Sequence, residues 1–179
     1  MSQVPLNVLH IITRLDRGGS SENTLITVAR LDRQRYRPSL IAGPSSEGTT
    51  ATLIPHLGRQ IHPWNDLLAF GEIYRQIRNG RYTIVHTHSS KAGILGRWAA
   101  RLAGVPIIVH TPHGHVFYGY YGRVLTYLFT LLERLTACIT DKIITLTEQG
   151  IEEYEEPRIA PREKFISIHS GVELARFME

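Results

Sequence analysis

A single cysteine, Cys138, and only three lysines among 179 residues set the first limits on this chain. One thiol cannot close an intramolecular disulfide, so the fold must rest on an ordinary apolar core, and a reducing compartment is the natural setting. No uninterrupted apolar stretch reaches the roughly 20 residues that a bilayer-crossing helix needs. The opening Met1-Ser-Gln-Val-Pro has neither the basic nor the apolar region of a secretory leader, so a cytoplasmic protein is expected. Basic stripes interleaved with stacking aromatics are missing, which argues against nucleic acid as a partner. There is no Cys pair and no helical H-E-x-x-H, so no metal is expected despite several histidines. The first Gly-rich loop is not G-x-G-x-x-G, and the second strand ends in Ala-Gly-Pro rather than in an acid, which disfavours a nicotinamide dinucleotide.

What is present reads as one globular α/β domain. Hydrophobic residues make up 42% and charged residues 20%, a balance that argues against disorder. The net charge of +4 is carried by 17 Arg and 3 Lys against 16 acids. It is compatible with an anionic ligand or an anionic membrane face and demands neither. Apolar strands alternate with helical patterns along almost the whole length. Strands are expected at Asn7 to Thr13, Pro38 to Ala42, Arg59 to His62, Tyr82 to His88, Ile107 to Thr111, Lys142 to Leu146 and Phe165 to His169. Helices are expected from a Ser20 or Ser21 cap to Leu31, then at Thr49 to Leu57, Asn65 to Asn79, Lys91 to Ala103, Arg123 to Cys138 and Glu148 to Tyr154. The result is a single Rossmann-like, doubly wound, mainly parallel sheet of about seven strands over residues 1–169, with 170–179 starting a linker.

Ligands of such sheets bind outside the carboxyl ends of the strands. The unusual residues of this sequence fall in those loops. Gly18 and Gly19 precede a helix whose free N–H groups and dipole suit a phosphate, although a lone Gly-Gly pair also fits a plain tight turn. In His86-Thr-His-Ser-Ser-Lys-Ala-Gly, His86 and His88 share one face of the sheet, and Ser89, Ser90 and Lys91 stand at the ligand edge. A lysine in the first turn of a helix is a poor dipole match, so Lys91 either has an anionic partner or is simply exposed. After the fifth strand, His113-Gly114 can hold an imidazole over the cleft and let backbone approach a ligand. Backbone hydrogen bonds would account for His10, His86 and His110, with His115 a further imidazole nearby. The segment from Phe117 to Leu135 is apolar on most sides. It reads as a buried helix, as a patch dipping into a bilayer beside Arg123 and Arg134, or as the seat of another domain; Glu133 breaks its pattern.

These motifs carry a resemblance. HIITRLDRGGSSENTL at His10 to Leu25, HTHSSKAGILGRWAARLAGVPIIVHTPHG at His86 to Gly114, DKIITLTE at Asp141 to Glu148 and IHSGVELARF at Ile168 to Phe177 together resemble the family 4 glycosyltransferases, retaining enzymes of the GT-B fold. The resemblance implies that Gly18 and Gly19 approach the nucleotide diphosphate and acceptor and that His113 reaches the donor sugar. It also implies that Ser89, Lys91, Thr145 and Thr147 line an acceptor pocket. The family's Asn-Gly-Val appears as Ser170-Gly171-Val172, a departure at its first position. Glu148 and Glu156 have the family's E-x7-E spacing but stand in an acidic first-domain helix, where a solvated face explains them. The partners implied are a nucleotide-sugar donor, a glycan or lipid-linked acceptor, a C-terminal donor-binding domain absent from this sequence and, at the aromatic helix, a membrane surface. No cofactor or metal is implied, and the isolated chain is not expected to transfer sugar. Two other classes fit less well: half of a nucleotide-sugar 2-epimerase, and a non-catalytic module binding a sugar nucleotide or anionic glycan.

Overall fold

The computed structural model describes residues 4–16, 18–44, 50–114 and 122–171. Its strands are β1 (Leu6–Ile12), β2 (Tyr36–Ala42), β3 (Thr52–Leu53), β4 (Ile84–His88), β5 (Ile107–Thr111), β6 (Lys142–Thr145) and β7 (Phe165–Ser167). They form one seven-stranded sheet in the order β3-β2-β1-β4-β5-β6-β7, and every pairing is parallel. The crossovers carry helices α1 (Gly19–Arg30), α2 (Pro63–Gly80), α3 (Ser90–Ala103), α4 (Arg123–Cys138) and α5 (Glu148–Glu155). Because β1 is covered on both faces, its run Val8 to Ile12 is buried at every position instead of alternating. Strand order reverses between β1 and β4, which makes their carboxyl ends the switch point where such folds take ligands.

The main core packs Leu9, Ile11, Val85 and Ile108 of the sheet against Ile73 and Ile77 of α2 and Ala99 and Ala100 of α3. Helix α3 lies close to the sheet because two of its facing positions are glycine. A Cβ at Gly93 would stand 2.5 Å from the His110 ring, and one at Gly96 would stand 2.7 Å from Thr87 Cγ2. Arg97, on the same helix, is fully buried and donates through Nη2 to both Glu133 carboxylate oxygens at 2.7 and 2.9 Å. Glu133 thus interrupts the apolar pattern of α4 in order to neutralise a guanidinium between α3 and α4. Lone buried charges are too costly to persist, so each residue requires the other.

Three expectations are corrected. No helix spans Thr49 to Leu57, and no strand spans Arg59 to His62: the described chain forms the two-residue β3 and then an irregular connection up to α2. Pro55 opposes a helix there, and Ile54 and Leu57 reach the core individually instead of along a helical stripe. The cap of α1 is Gly18, not Ser20 or Ser21, and Ser21 Oγ instead donates to the Arg14 carbonyl at 3.3 Å. Other boundaries move by one to three residues at strand and helix ends. Of the linker expected at 170–179, Ser170 and Gly171 are described, and the Asn23 side chain donates to Ser170 Oγ at 3.0 Å. The remainder of it, Val172 included, lies outside the described residues, as do His115 and the aromatic residues up to position 121.

Candidate functional site

A cleft of about 640 Å³ opens at the switch point. Its floor is the end of β1 with Thr13 and Arg14, and its walls include Ser20 of α1, Arg59, Ile61, Asp66, the first turn of α3 at Ser90 and Lys91, and His113-Gly114. Two helix N-termini, those of α1 and α3, therefore converge on it. First-turn N–H groups have no intrahelical acceptor, so the pair forms a ready receptor for an oxyanion. At α3 the arrangement is held from outside the helix. Ser89 adopts φ 63 and ψ 163, a region nearly reserved for glycine, which costs on the order of 1–3 kcal/mol. Its hydroxyl pairs with Thr13 Oγ1 at 2.9 Å, and Thr13 Oγ1 accepts the Ala92 N–H at 3.2 Å, so β1 caps α3 across the switch point. His113 also has a left-handed backbone, φ 57, and Gly114 follows at φ 149, a turn that swings the imidazole into the cleft.

Behind His113 lies a layer of imidazoles. His10 of β1 and His86 of β4 are register partners, and with His88 they share one sheet face, with ring centroids 4.2 to 5.4 Å apart. His110 points to the other face, against α3. Each has a side-chain partner, instead of the backbone partners expected for His10 and His86, while His110 also meets the Thr87 backbone; His10 Nε2 and His113 Nδ1 have no partner among the described residues. His10 Nδ1 meets His88 Nε2 at 3.1 Å, His88 Nδ1 meets His113 Nε2 at 2.9 Å, His86 Nε2 meets Thr111 Oγ1 at 2.8 Å and His110 Nδ1 meets Thr87 Oγ1 at 2.9 Å. Burial pushes every one of these rings toward the neutral form. The pKa falls to about 4 at His10 and at His113, and well below the ordinary 6.5 at His86, His88 and His110, where neighbouring charge adds to the desolvation.

The profile of glycosyltransferase family 4 matches residues 17–176, nearly the whole chain. The chain belongs to glycosyltransferase family 4. Within and around the family, it is 37% identical over 131 residues to an Escherichia coli UDP-Gal:α-D-GlcNAc-diphosphoundecaprenol α-1,3-galactosyltransferase, covering 73% of this chain and 34% of that protein. Among solved structures, a Rickettsia bellii UDP-N-acetylglucosamine 2-epimerase superposes with TM-score 0.71 at 16% identity over 98% of this chain and 48% of its own. A Rickettsia africae glycosyltransferase gives TM-score 0.67 at 18% identity, over 97% of this chain and 45% of its own. At such identities these two establish the fold alone, the Rossmann-like α/β half of a GT-B architecture. The chain spans about a third of the curated relative and about half of each structural neighbour.

The family's motifs reach the cleft unevenly. Ser89, Lys91, His113 and Gly114 all line it. Gly18 and Gly19 are not among its lining residues but immediately precede Ser20, which is, and a Cβ on either would meet nothing within 4 Å, so the fold itself has no packing need for glycine there. Thr145 and Thr147 are not among its lining residues. Thr145 Oγ1 donates to the Thr147 carbonyl at 3.0 Å, and Thr147 Oγ1 accepts the Gly150 N–H at 3.0 Å as the N-cap of α5. The anionic partner expected for Lys91 is Asp66, in the first turn of α2, and the ammonium also donates to the Gln60 carbonyl. Sequence reading misses Asp66 and Arg59 as site residues, because the segment around them has the pattern of a plain strand followed by a helix. The position of Asp66 three residues after the N1 proline of α2 is the one available signal. Glu148, the first carboxylate of the E-x7-E spacing, binds Arg162 at 3.2 Å in an exposed ion pair.

Proposed function

We propose that this chain is the acceptor-side half of a retaining, nucleotide-sugar-dependent glycosyltransferase that adds a hexose or N-acetylhexosamine to a lipid-linked or glycan acceptor. One observation carries the reading: Ser20, in the first turn of α1 directly after Gly18-Gly19, the first turn of α3 and His113 line a single cleft at the switch point. In this reading the diphosphate of the donor lies against the N-termini of α1 and α3. His113 contacts the donor sugar, and Ser89 with the Lys91–Asp66 pair holds acceptor hydroxyls. The two carboxylates that line the cleft, Asp66 and Glu133, are engaged by Lys91 and Arg97. The scheme therefore uses neither as a covalent nucleophile, and it needs no metal, because helix dipoles and basic side chains offset the leaving diphosphate. A second, donor-binding domain supplies the facing wall, for which the greater length of the relatives leaves room. The isolated chain is inactive on this view.

The acceptor of the Escherichia coli relative is carried on a diphosphoundecaprenol, which supports a lipid-linked acceptor and work at the inner face of a membrane. No described helix is long and apolar enough to cross a bilayer. Instead, Ile61, Trp64, Leu67 and Leu68 around the start of α2, and Val124, Tyr127 and Leu128 along α4, are exposed on the two helices that flank α3. Such an apolar rim suits shallow contact with acyl chains. The test is transfer from labelled UDP-hexoses to a lipid-linked GlcNAc-diphosphate by the chain joined to its donor-binding half. His113→Ala should lower turnover at least 100-fold, far more than the loss of about 1–3 kcal/mol in stability expected from leaving His88 Nδ1 unpaired. Near-normal turnover would remove His113 from the site, and epimerised or free nucleotide without acceptor would favour the epimerase.

A further inference from the structure

The three-ring series His10–His88–His113 is the least ordinary feature of the molecule, and its geometry has a definite consequence. For His10 and His88 the ring planes are 18° apart, with centroids 5.4 Å and bridging nitrogens 3.1 Å apart. For His88 and His113 the values are 27°, 5.2 Å and 2.9 Å. In both pairs the centroid separation exceeds the nitrogen separation by the same 2.3 Å, as it must when two imidazoles lie end to end with an N–H of one along the lone pair of the next. Nitrogens of His10, His86 and His88 do gather within 4.8 Å, which invites a metal. A shared ion, however, requires lone pairs that converge on a point off the N···N lines; here those of His10 and His88 face one another, and His86 Nε2 is bonded to Thr111 Oγ1.

A neutral imidazole has one donor and one acceptor, so a series of three can run in only two directions. If it runs inward, the N–H of His10 Nε2 is left without an acceptor in the interior, where His10 is 1% exposed. If it runs outward, His10 keeps only a bare lone pair at Nε2, and the unpaired N–H moves to Nδ1 of His113, which is also covered and unpartnered among the described residues but belongs to a residue that lines the cleft, as His10 does not. An orphaned buried N–H is among the rarest of native features, while a donor next to a ligand cleft finds its acceptor when the ligand arrives. We infer that His10 and His88 are positioning residues that lock His113 into the Nδ1–H tautomer, so that it meets an oxygen of the bound sugar nucleotide as a hydrogen-bond donor. Burial of all three rings favours the neutral state that this ordering requires. The series is not a proton conduit, since its inner end, His10 Nε2, has no partner among the described residues. The contact to the sugar nucleotide rests on the function proposed above, but the tautomer does not.

The experiment is 15N NMR of the full chain labelled at histidine, with the His113 signals assigned by their loss in His113→Gln. The nitrogen shifts and the two-bond couplings to the ring protons distinguish the protonated nitrogen from the bare one without any transfer assay. The expected result is a single form at pH 7 with the proton on Nδ1 of His113. A proton on Nε2, or exchange-averaged nitrogens, would overturn the inference. In His88→Asn the amide can still donate to His113 Nε2, and the Nδ1–H form should persist. In His88→Leu the two nitrogens should move toward each other as both tautomers populate. Should His88→Leu fold and leave the His113 signals in place, His88 does not set the tautomer and the inference fails. Should it not fold, the wild-type spectrum alone decides. Loss of glycosyl transfer with the Nδ1–H form intact would count against the proposed function and leave this inference standing.

Discussion

Acidification from pH 7 to pH 5 should destabilise this domain through its imidazole layer. An ordinary histidine in the unfolded chain takes up its proton near 6.5, whereas His10 and His113 in the fold resist it until about 4. The folded state therefore binds fewer protons than the unfolded state between these values, and stability rises with pH across that window. The contribution is fully present above about 6.5 and is lost progressively as the pH falls toward 4. Once the unfolded histidine is protonated, each further fall of one in pH costs roughly 1.4 kcal/mol, so for His10 the step from pH 7 to pH 5 removes about 2 kcal/mol. His113, partly open to solvent, adds less. His86, His88 and His110 are held neutral in the same direction and add to the total. The charged group facing the layer is Arg97, beside His110 on the α3 side, and Glu133 pairs with it. With a urea dependence of about 1–3 kcal/mol per M for a domain of this size, the unfolding midpoint should fall by about 1 M or more. Urea titrations followed by circular dichroism at pH 7, 6 and 5 measure it directly. A midpoint that stays constant over this range would mean that the histidines are not buried neutral, and the description of the layer would be wrong.

Other perturbations separate structural from functional residues. Glu133→Gln or Arg97→Met alone should cost about 3–5 kcal/mol in chemical denaturation, because each leaves a buried partner uncompensated, while the double change Arg97→Met/Glu133→Leu should recover most of it. Gly96→Ala pushes a methyl to 2.7 Å from Thr87 and 3.0 Å from Ile11, and should destabilise by about 1–3 kcal/mol. Gly18→Ala meets nothing in the protein and, as a change at the α1 cap, should cost at most about 1 kcal/mol, yet lower transfer in the complete enzyme if the diphosphate approaches that loop. Thr147→Ala should cost about 1 kcal/mol as a lost helix cap and leave turnover unaltered, which distinguishes capping from acceptor binding.

Much of the architecture could be read from local pattern. The apolar runs that became β1, β4, β5 and β6 are contiguous because both faces of a parallel sheet are covered, and the helices between them carry a 3.6-residue stripe. Both signals are local, and both survived. The stretch before α2 has no such period, because Ile54 and Leu57 enter the main core from an irregular connection while Ile61 lines the cleft. Boundaries at β4 and β7 were overrun, since hydrogen-bond pairing, not hydrophobicity, ends a strand.

Fold class and family are legible along the chain alone, because periodicity and short motifs depend only on sequence neighbours. The placement of His86 and His88 on one face is legible for the same reason. Which distant side chains meet is set by the folded arrangement. It tied Lys91 to Asp66, Arg97 to Glu133 and Thr13 to the head of α3, turned Thr147 into a cap, and aligned His10, His88 and His113 end to end. Those pairings depend on strand register and helix placement, to which residues far apart in sequence contribute jointly, and no local pattern carries that information.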